Sequence, residues 1–207
     1  MGLMSPSSKP LRVGFLLFAG FELLDAAGPM EVLGRDPSRM TVTTFAADPG
    51  PVQSAQGVAI MAVHGFDDCP NLDVIVVPGG IGTRTQVNSA RLLSEIRARC
   101  EAASIVFSVC TGAALLAKAG VLDGRRATSN KLAFDWVKSI SDEVRWEPHA
   151  RWVEDDRFIT SSGVAAGIDA AFAILRRLFG AAYSEQIAVS IEYQPSLDAS
   201  DDPFARA

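Results

Sequence analysis

The sequence is poor in the residues that build disulfides and metal sites. It has three cysteines, Cys69, Cys100 and Cys110, and two histidines, His64 and His149. The cysteines are odd in number and widely spaced, without a Cys-x-x-Cys pair, which is typical of a reduced compartment, so we expect a cytoplasmic protein. Because no histidine or cysteine cluster has the spacing of metal ligands, we predict no metal and no other cofactor.

Clustered positive charge and long apolar runs are also absent. The 19 lysines and arginines are scattered among 24 acidic residues, and the net charge of −5 argues against a nucleic-acid partner. The apolar stretch 13–19 is too short to span a membrane and runs into Glu22 and Asp25. We therefore expect no nucleic acid and no membrane among the partners of this protein.

What the sequence does contain is an alternation of β-branched apolar runs with helix-forming stretches. The predicted strands cover residues 11–18, 40–47, 57–63, 72–77, 105–107 and 127–129, with a hairpin of 146–154 and 157–161. The predicted helices cover residues 21–33, 86–101, a stretch after Cys110, 131–139, 165–179 and 184–193. Pro29 is expected to end or kink the first helix. The alternation predicts an α/β sandwich with a mainly parallel sheet and helices on both faces.

The limits of the domain follow from composition. Residues 1–10 are rich in serine and proline and are predicted to be a flexible tail. Residues 11–195 carry the apolar pattern and are predicted to form a single domain. Residues 196–207 are polar and are predicted to form an irregular C-terminal tail.

Cys110 lies where a buried strand stops and an alanine- and leucine-rich helix begins, in the stretch SIVFSVCTGAALLAKAG. Gly112 allows a tight turn there. A helix N-terminus favours anions, so we expect a stabilised, reactive thiolate. The alternative is that Cys110 is one more buried small residue, but the polar neighbours Ser108 and Thr111 favour a functional thiol.

Two other strand ends are expected to meet Cys110, because sites in parallel sheets form beyond the carboxyl ends of the strands. Asp25 is a carboxylate in an apolar helical turn, where it is either used in the site or is a helix cap or solvent-facing acid. Gly79 and Gly80 follow a buried strand and could direct backbone N–H groups at an oxyanion, although Pro-Gly-Gly is also a plain turn. The N–H of Thr111 is a second candidate donor, and its hydroxyl could hold a substrate atom or Asp25.

The remaining candidates are interpreted as structural. His64 and His149 are not part of a cluster, and Cys69 and Cys100 lie outside the three strand ends. Asp169 is expected to fix a helix end or contact the backbone.

The sequence resembles the ThiJ/PfpI superfamily, and most of all its isocyanide hydratase branch. The resemblance is carried by GFLLFAGFELLDAAGPMEVL, LDVIVVPGG, SVCTGAALLAKAGVLDGRRATS and ITSSGVAAGIDAAFAI. It implies a flavodoxin-like three-layer sandwich, a homodimer, and a nucleophile elbow at Cys110. Asp25 stands where that branch has Asp and most relatives have Glu, while Thr111 stands where other branches have His or Gly. Asn130 stands where related sequences often have histidine, which argues against histidine-dependent deglycase schemes.

The function implied by this resemblance is hydration of an isocyanide to an N-substituted formamide through a covalent thioimidate. The substrate would be a small molecule, with Cys110 as nucleophile, Asp25 as acid and then base, and Thr111 assisting. Alternatives are a non-enzymatic or redox-responsive dimer with an oxidisable Cys110, and a glyoxalase or hydrolase acting on small carbonyl compounds. The AraC-type regulators share the cysteine-elbow domain, but no helix-turn-helix module follows here, so we expect this chain not to be one of them.

Overall fold

The computed structural model describes residues 9–205, so the tail predicted at 1–10 lies outside the described residues except for its last two positions. The strands are β1 (Leu11–Leu16), β2 (Met40–Phe45), β3 (Gly50–Gln53), β4 (Ala59–Ala62), β5 (Val74–Val77), β6 (Ile105–Val109), β7 (Arg126–Ala127), β8 (Arg145–Trp146), β9 (Trp152–Asp155) and β10 (Phe158–Ser161). The helices are α1 (Leu23–Leu33), α2 (Thr83–Gln86), α3 (Ala90–Ala102), α4 (Gly112–Lys118), α5 (Phe134–Lys138), α6 (Ala166–Phe179) and α7 (Ala181–Ser190).

Six strands form the central sheet in the order β2-β1-β5-β6-β10-β9. All neighbours are parallel except β9, which pairs antiparallel with β10 across the predicted turn near Asp156. The inner strands β5 and β6 are buried along their whole length, which is why their sequences are nearly continuous apolar runs.

Helices cover both faces of the sheet. On one face α6 packs against α1 and α7, and on the other α4 packs against α2, α3 and α5. This is the predicted three-layer α/β architecture, and the hydrophobic core lies on both sides of β5 and β6. In the part of the chain that the structure describes, no helix is both long enough and apolar enough to cross a membrane.

The structure differs from the sequence prediction mainly outside the central sheet. The predicted strand 57–63 is β4, and its antiparallel partner β3 was missed because it contains Pro51, which cannot donate a ladder hydrogen bond and is tolerated in a two-stranded edge ribbon. The helix predicted at 86–101 is α3, which begins four residues later at Ala90, and the short helix α2 before it was not predicted. Trp146 was assigned to the hairpin of β9 and β10, but it pairs in β8 with β7.

Pro29 does not end the first helix, which continues through it to Leu33. Proline removes one intrahelical hydrogen bond, but Pro29 and Gly28 are buried where α1 packs against α6. A Cβ atom at Gly28 would lie 2.7 Å from Ile168 Cγ1, so the two helices approach closely at this point. Tertiary packing here outweighs the local preference of proline.

The chain after α7 contains no helix or strand through residue 205, yet it is held against the fold. Asp169 of α6 accepts hydrogen bonds from the Tyr193 hydroxyl at 2.9 Å and the Ser196 N–H at 3.0 Å. Its other oxygen lies 2.7 Å from Arg151 Nε and Nη2. The prediction that Asp169 contacts backbone is confirmed, and one buried carboxylate joins α6, the start of β9 and the C-terminal segment.

We predict that Asp169→Ala destabilises the protein by about 1–3 kcal/mol, because it removes the acceptor of Arg151 and two further donors. Asp202, whose Oδ1 is 3.8 Å from Arg151 Nη1, still offsets the guanidinium charge. The measurement is urea denaturation, with limited proteolysis to detect release of the C-terminal segment. Asp198→Ala is the matched control, since Asp198 is exposed in the same segment and bonds only Ser200. Equal stability of both variants would contradict this role of Asp169.

Candidate active site

The ends of β1, β5 and β6 place three short segments side by side. The chain leaving β1 enters α1, which carries Asp25; the chain leaving β5 forms the Gly79-Gly80 turn; and the chain leaving β6 turns at Cys110 into α4. These strands are neighbours in the order β1-β5-β6, so parallel pairing brings their carboxyl ends together, as the sequence predicts.

Cys110 occupies a strained turn between β6 and α4. Its φ is 57°, in the left-handed region where a residue with a side chain costs about 1–3 kcal/mol. The turn is held by its surroundings: the Cys110 N–H donates to the carbonyls of Ser161 and Ser162 at 3.2 and 3.3 Å, and the Cys110 carbonyl accepts from Ser129 Oγ at 2.7 Å. The side chain is 5 % exposed, just below the surface.

Asp25 is fully buried in the first turn of α1. Its Oδ2 accepts a hydrogen bond from the Gly79 N–H at 2.9 Å, and the Gly79 carbonyl in turn accepts from the Glu22 N–H at 2.9 Å. The other oxygen, Oδ1, has no hydrogen-bond partner of standard geometry, and the side chain that interacts with this carboxyl is the Cys110 thiol. The acid therefore lies beside the sulfur with one oxygen anchored and the other available.

Burial sets the protonation of this pair. Loss of hydration raises the pKa of the Asp25 carboxyl to about 8, and the nearby Glu22 carboxylate adds to this, while the Gly79 N–H opposes it. Burial also raises the pKa of the Cys110 thiol well above its usual value, and the negative charge on Asp25 acts in the same direction. At neutral pH both groups keep their protons, so the pair is neutral.

This corrects the prediction of a resting thiolate. Hydrogen bonds from the Thr111 N–H and hydroxyl do lower the pKa of Cys110, but desolvation is the larger effect. The helix that follows is short, with seven residues, and its polar end does not compensate for removing the sulfur from water. The part of the prediction that keeps the proton on Asp25 agrees with the structure.

The glycine N–H groups are engaged differently from the prediction. Gly79 donates to Asp25, and Gly80 donates to Thr111 Oγ1 at 3.0 Å. Neither can bind an oxyanion without giving up that bond. The hydroxyl of Thr111 does not hold Asp25, as one alternative proposed, but lies 3.1 Å from Thr83 Oγ1. In this structure these groups orient the acid and the threonine.

The glycines are required by space. A Cβ atom at Gly79 would lie 2.5 Å from the Thr111 nitrogen and 2.9 Å from Cys110 Cβ. At Gly80, φ is 113° and an added Cβ would contact the backbone at Glu22. Glycine at both positions is what lets the β5 turn lie directly against α1 and the cysteine.

Several residues at the site were not singled out from sequence. Thr83 is fully buried and donates to the Gly80 carbonyl at 2.7 Å. Ser129 ties the chain before α5 to Cys110, and Gly163 faces the sulfur, since an added Cβ would lie 2.7 Å from Cys110 Sγ. Thr83 follows the Gly79-Gly80 turn closely but has an ordinary residue type, and Ser129 and Gly163 come from distant parts of the chain, so none of the three gave a clear sequence signal.

The other candidates lie elsewhere. His64 Nδ1 is 3.7 Å from an oxygen of Asp68. Burial raises the pKa of Cys69, and that of Cys100 to about 12, as expected of structural thiols. Among residues 9–205, no group of three or more histidine, cysteine, aspartate or glutamate side chains is placed to hold a metal ion.

Comparison with known proteins places this site in context. Residues 11–177 match the DJ-1/PfpI family. The isonitrile hydratase of Pseudomonas putida is 36% identical over 186 residues, which cover 90% of this chain and 80% of that protein. The HTH-type transcriptional regulator GbdR of Pseudomonas aeruginosa is 27% identical over 93% of this chain, which spans 53% of the regulator. The crystal structure of a THiJ/PfpI family protein from Pseudomonas syringae superposes with a TM-score of 0.84 at 30% identity, covering 93% of this chain and 79% of that one.

We predict that Asp25→Asn stabilises the protein near neutral pH. Below pH 4 the Asp25 carboxyl is protonated in both the folded and the unfolded protein. Between pH 4 and its folded pKa of about 8, only the unfolded protein ionises this group. The free energy of unfolding therefore falls by up to about 1.4 kcal/mol per pH unit over this range. Asparagine can keep the bond from Gly79 without this loss. The melting temperatures of the two proteins should therefore be equal at pH 4. As the pH is raised to 8, that of the variant should become increasingly higher than that of the wild type. A gap that is constant with pH would disprove the raised pKa.

Proposed function

Because this chain belongs to the DJ-1/PfpI family, we propose that it uses Cys110 and Asp25 to hydrate an isocyanide, R–N≡C, to an N-substituted formamide. The observation that carries this proposal is that Asp25 is fully buried beside the Cys110 thiol, where loss of hydration raises the pKa of its carboxyl to about 8. An isocyanide carbon must receive a nucleophile and a proton together, and this pair can supply both.

The first step is addition of the thiol across the isocyanide carbon. The Cys110 sulfur forms a bond to carbon while the Asp25 carboxyl gives its proton to the same carbon and takes the thiol proton. The product is a thioimidate, Cys–S–CH=N–R, and Asp25 is again protonated. A neutral resting pair suits a neutral substrate, since no charge has to form in the buried site before the bond is made.

The second step is hydrolysis. Water adds to the thioimidate carbon while Asp25 relays a proton from the water oxygen to the nitrogen. The carbon–sulfur bond of the resulting tetrahedral adduct then breaks, the sulfur recovers a proton, and R–NH–CHO leaves. The sum is R–NC plus water giving the formamide, with Cys110 and Asp25 unchanged.

One of the similar proteins supports this activity by its name. The relative from Pseudomonas putida bears the name of an isonitrile hydratase, while another carries the name of a transcriptional regulator. A redox sensor needs an accessible, low-pKa thiol, and here burial raises the pKa of Cys110. A carbonyl-directed glyoxalase or hydrolase is tested by assaying methylglyoxal in parallel. The homodimer and the cytoplasmic location expected from sequence stay predictions.

We predict that Cys110→Ser reduces hydration of an aryl isocyanide to the uncatalysed rate, because the thiol forms the covalent bond. Asp25→Asn should lower kcat by about 10²–10⁴-fold, the usual contribution of general acid–base catalysis. Ultraviolet absorbance follows the reaction, and intact mass spectrometry detects the thioimidate. Cys69→Ser is the matched control and should retain full activity. Near-normal turnover by either site variant would rule out this mechanism.

We also predict that turnover decreases as pH rises through about 8. Asp25 must be protonated to deliver a proton to carbon, and above its pKa that form is lost at tenfold per pH unit. A mechanism limited by thiolate formation would give the opposite slope, with turnover increasing over this range. Steady-state rates between pH 6 and 9.5 distinguish the two.

A further inference from the structure

A reaction at Cys110 requires a hydrogen-bond donor for the atom that becomes attached next to the sulfur, and this donor is best not already bonded to another group of the protein. The N–H groups of Gly79 and Gly80, the donors expected from sequence, are committed to Asp25 and Thr111. The N–H of Thr111 interacts with the Cys110 sulfur and lowers the pKa of the thiol. A nitrogen or oxygen atom that develops next to the sulfur can use the glycine N–H groups only if their present bonds break, so a donor on another segment would serve it without that cost.

Asn130 provides one. Its Oδ1 accepts the Ala133 N–H at 3.0 Å, which fixes the orientation of the side-chain amide. Among residues 9–205 no acceptor is paired with its Nδ2. The preceding residue, Ser129, bonds the Cys110 carbonyl at 2.7 Å, so the segment that carries Asn130 is tied directly to the nucleophile.

Gly163 shows that the amide and the sulfur face the same small space. A Cβ atom at Gly163 would lie 2.7 Å from Cys110 Sγ and in still closer contact with Asn130 Nδ2. Cys110 Sγ and Asn130 Nδ2 both lie within 2.7 Å of this one position, so the distance between them is less than twice that value. An atom two bonds from the sulfur, on the side that faces Asn130, can therefore come within hydrogen-bond distance of Nδ2.

We propose that Asn130 is the hydrogen-bond donor to the covalent intermediate, with its Nδ2 binding the heteroatom on the carbon attached to Cys110. The identity of that heteroatom rests on the proposed function: in the thioimidate it is the nitrogen. An isocyanide nitrogen has no free lone pair, but once the S–C bond has formed and the thiol proton has reached carbon through Asp25, the nitrogen has one. Asn130 thus binds the intermediate and not the free substrate.

This assignment also separates two tasks at the site. An amide does not ionise in the working pH range, so Asn130 donates a hydrogen bond without exchanging protons. All proton transfer then falls to Asp25. A donor that bonds only what forms after attack raises kcat and leaves substrate binding unchanged.

The first test is the kinetics of Asn130→Ala and Asn130→Ser on an aryl isocyanide. Serine can still accept the Ala133 N–H but is too short to reach the intermediate, so it preserves the turn if alanine does not. We expect kcat about tenfold lower with KM nearly unchanged, the effect of one lost hydrogen bond. Asn71→Ala is the matched control, since Asn71 is exposed before β5, at the opposite end of the sheet. A normal kcat in the serine variant, or a loss confined to KM, would overturn the assignment.

The second test does not depend on isocyanide turnover. Cyanate adds to a thiol to give Cys–S–C(=O)–NH₂, whose oxygen is on the carbon bound to sulfur, whereas iodomethane leaves a methyl group without an acceptor. Peptide mapping at Cys110 should show carbamoylation slowed about tenfold in both Asn130 variants and methylation changed less than twofold. Slowed carbamoylation in a protein that does not hydrate isocyanides would reject the proposed function and retain the donor. Equal slowing of both reactions, or of neither, would reject the donor.

Discussion

The geometry of the candidate active site depends on one buried carboxyl group, that of Asp25. Asp25 has no exposed surface, and burying an ionised acid is so costly that the group keeps its proton instead. Two hydrogen bonds between the start of α1 and the β5 turn fix its position: the Glu22 N–H donates to the Gly79 carbonyl, and the Gly79 N–H donates to Asp25 Oδ2. They require glycine at position 79, because a side chain there would collide with Thr111 and Cys110.

Burial also changes the chemistry that the sulfur can perform. A thiol at the start of a helix is ordinarily associated with a stabilised anion, but desolvation and the neighbouring acid outweigh that tendency here. The result is a neutral thiol–acid pair that is suited to a neutral electrophile needing both a nucleophile and a proton. The strained turn at Cys110 is tolerated because hydrogen bonds to two other segments, Ser161-Ser162 and Ser129, hold it.

Much of the fold was predictable because the buried strands are recognisable in the sequence as nearly continuous apolar runs. The apolar runs of β1, β5 and β6 each end in a segment of different composition, and parallel pairing then implies that Asp25, Gly79 and Cys110 lie at one edge. Predictions from local sequence were wrong where tertiary packing outweighed the local preference of a residue. Pro29 remains inside α1 because the helix is buried against α6, and β3 forms despite Pro51 because it lies in a small separate ribbon.

The sequence alone determined the layered fold, the position of the cysteine at a strand-to-helix turn, and the proximity of an acid, a glycine turn and a thiol. These features depend on the order and hydrophobicity of the elements along the chain. Which hydrogen bond each group makes was decided only by the tertiary structure. Gly79, Gly80 and Thr111 were expected to face a ligand and instead bond to the protein, while Asn130 and Gly163, distant in sequence, face the sulfur. The physical reason is that donor direction and desolvation depend on atoms brought together from separate segments, and no local pattern of residues encodes them.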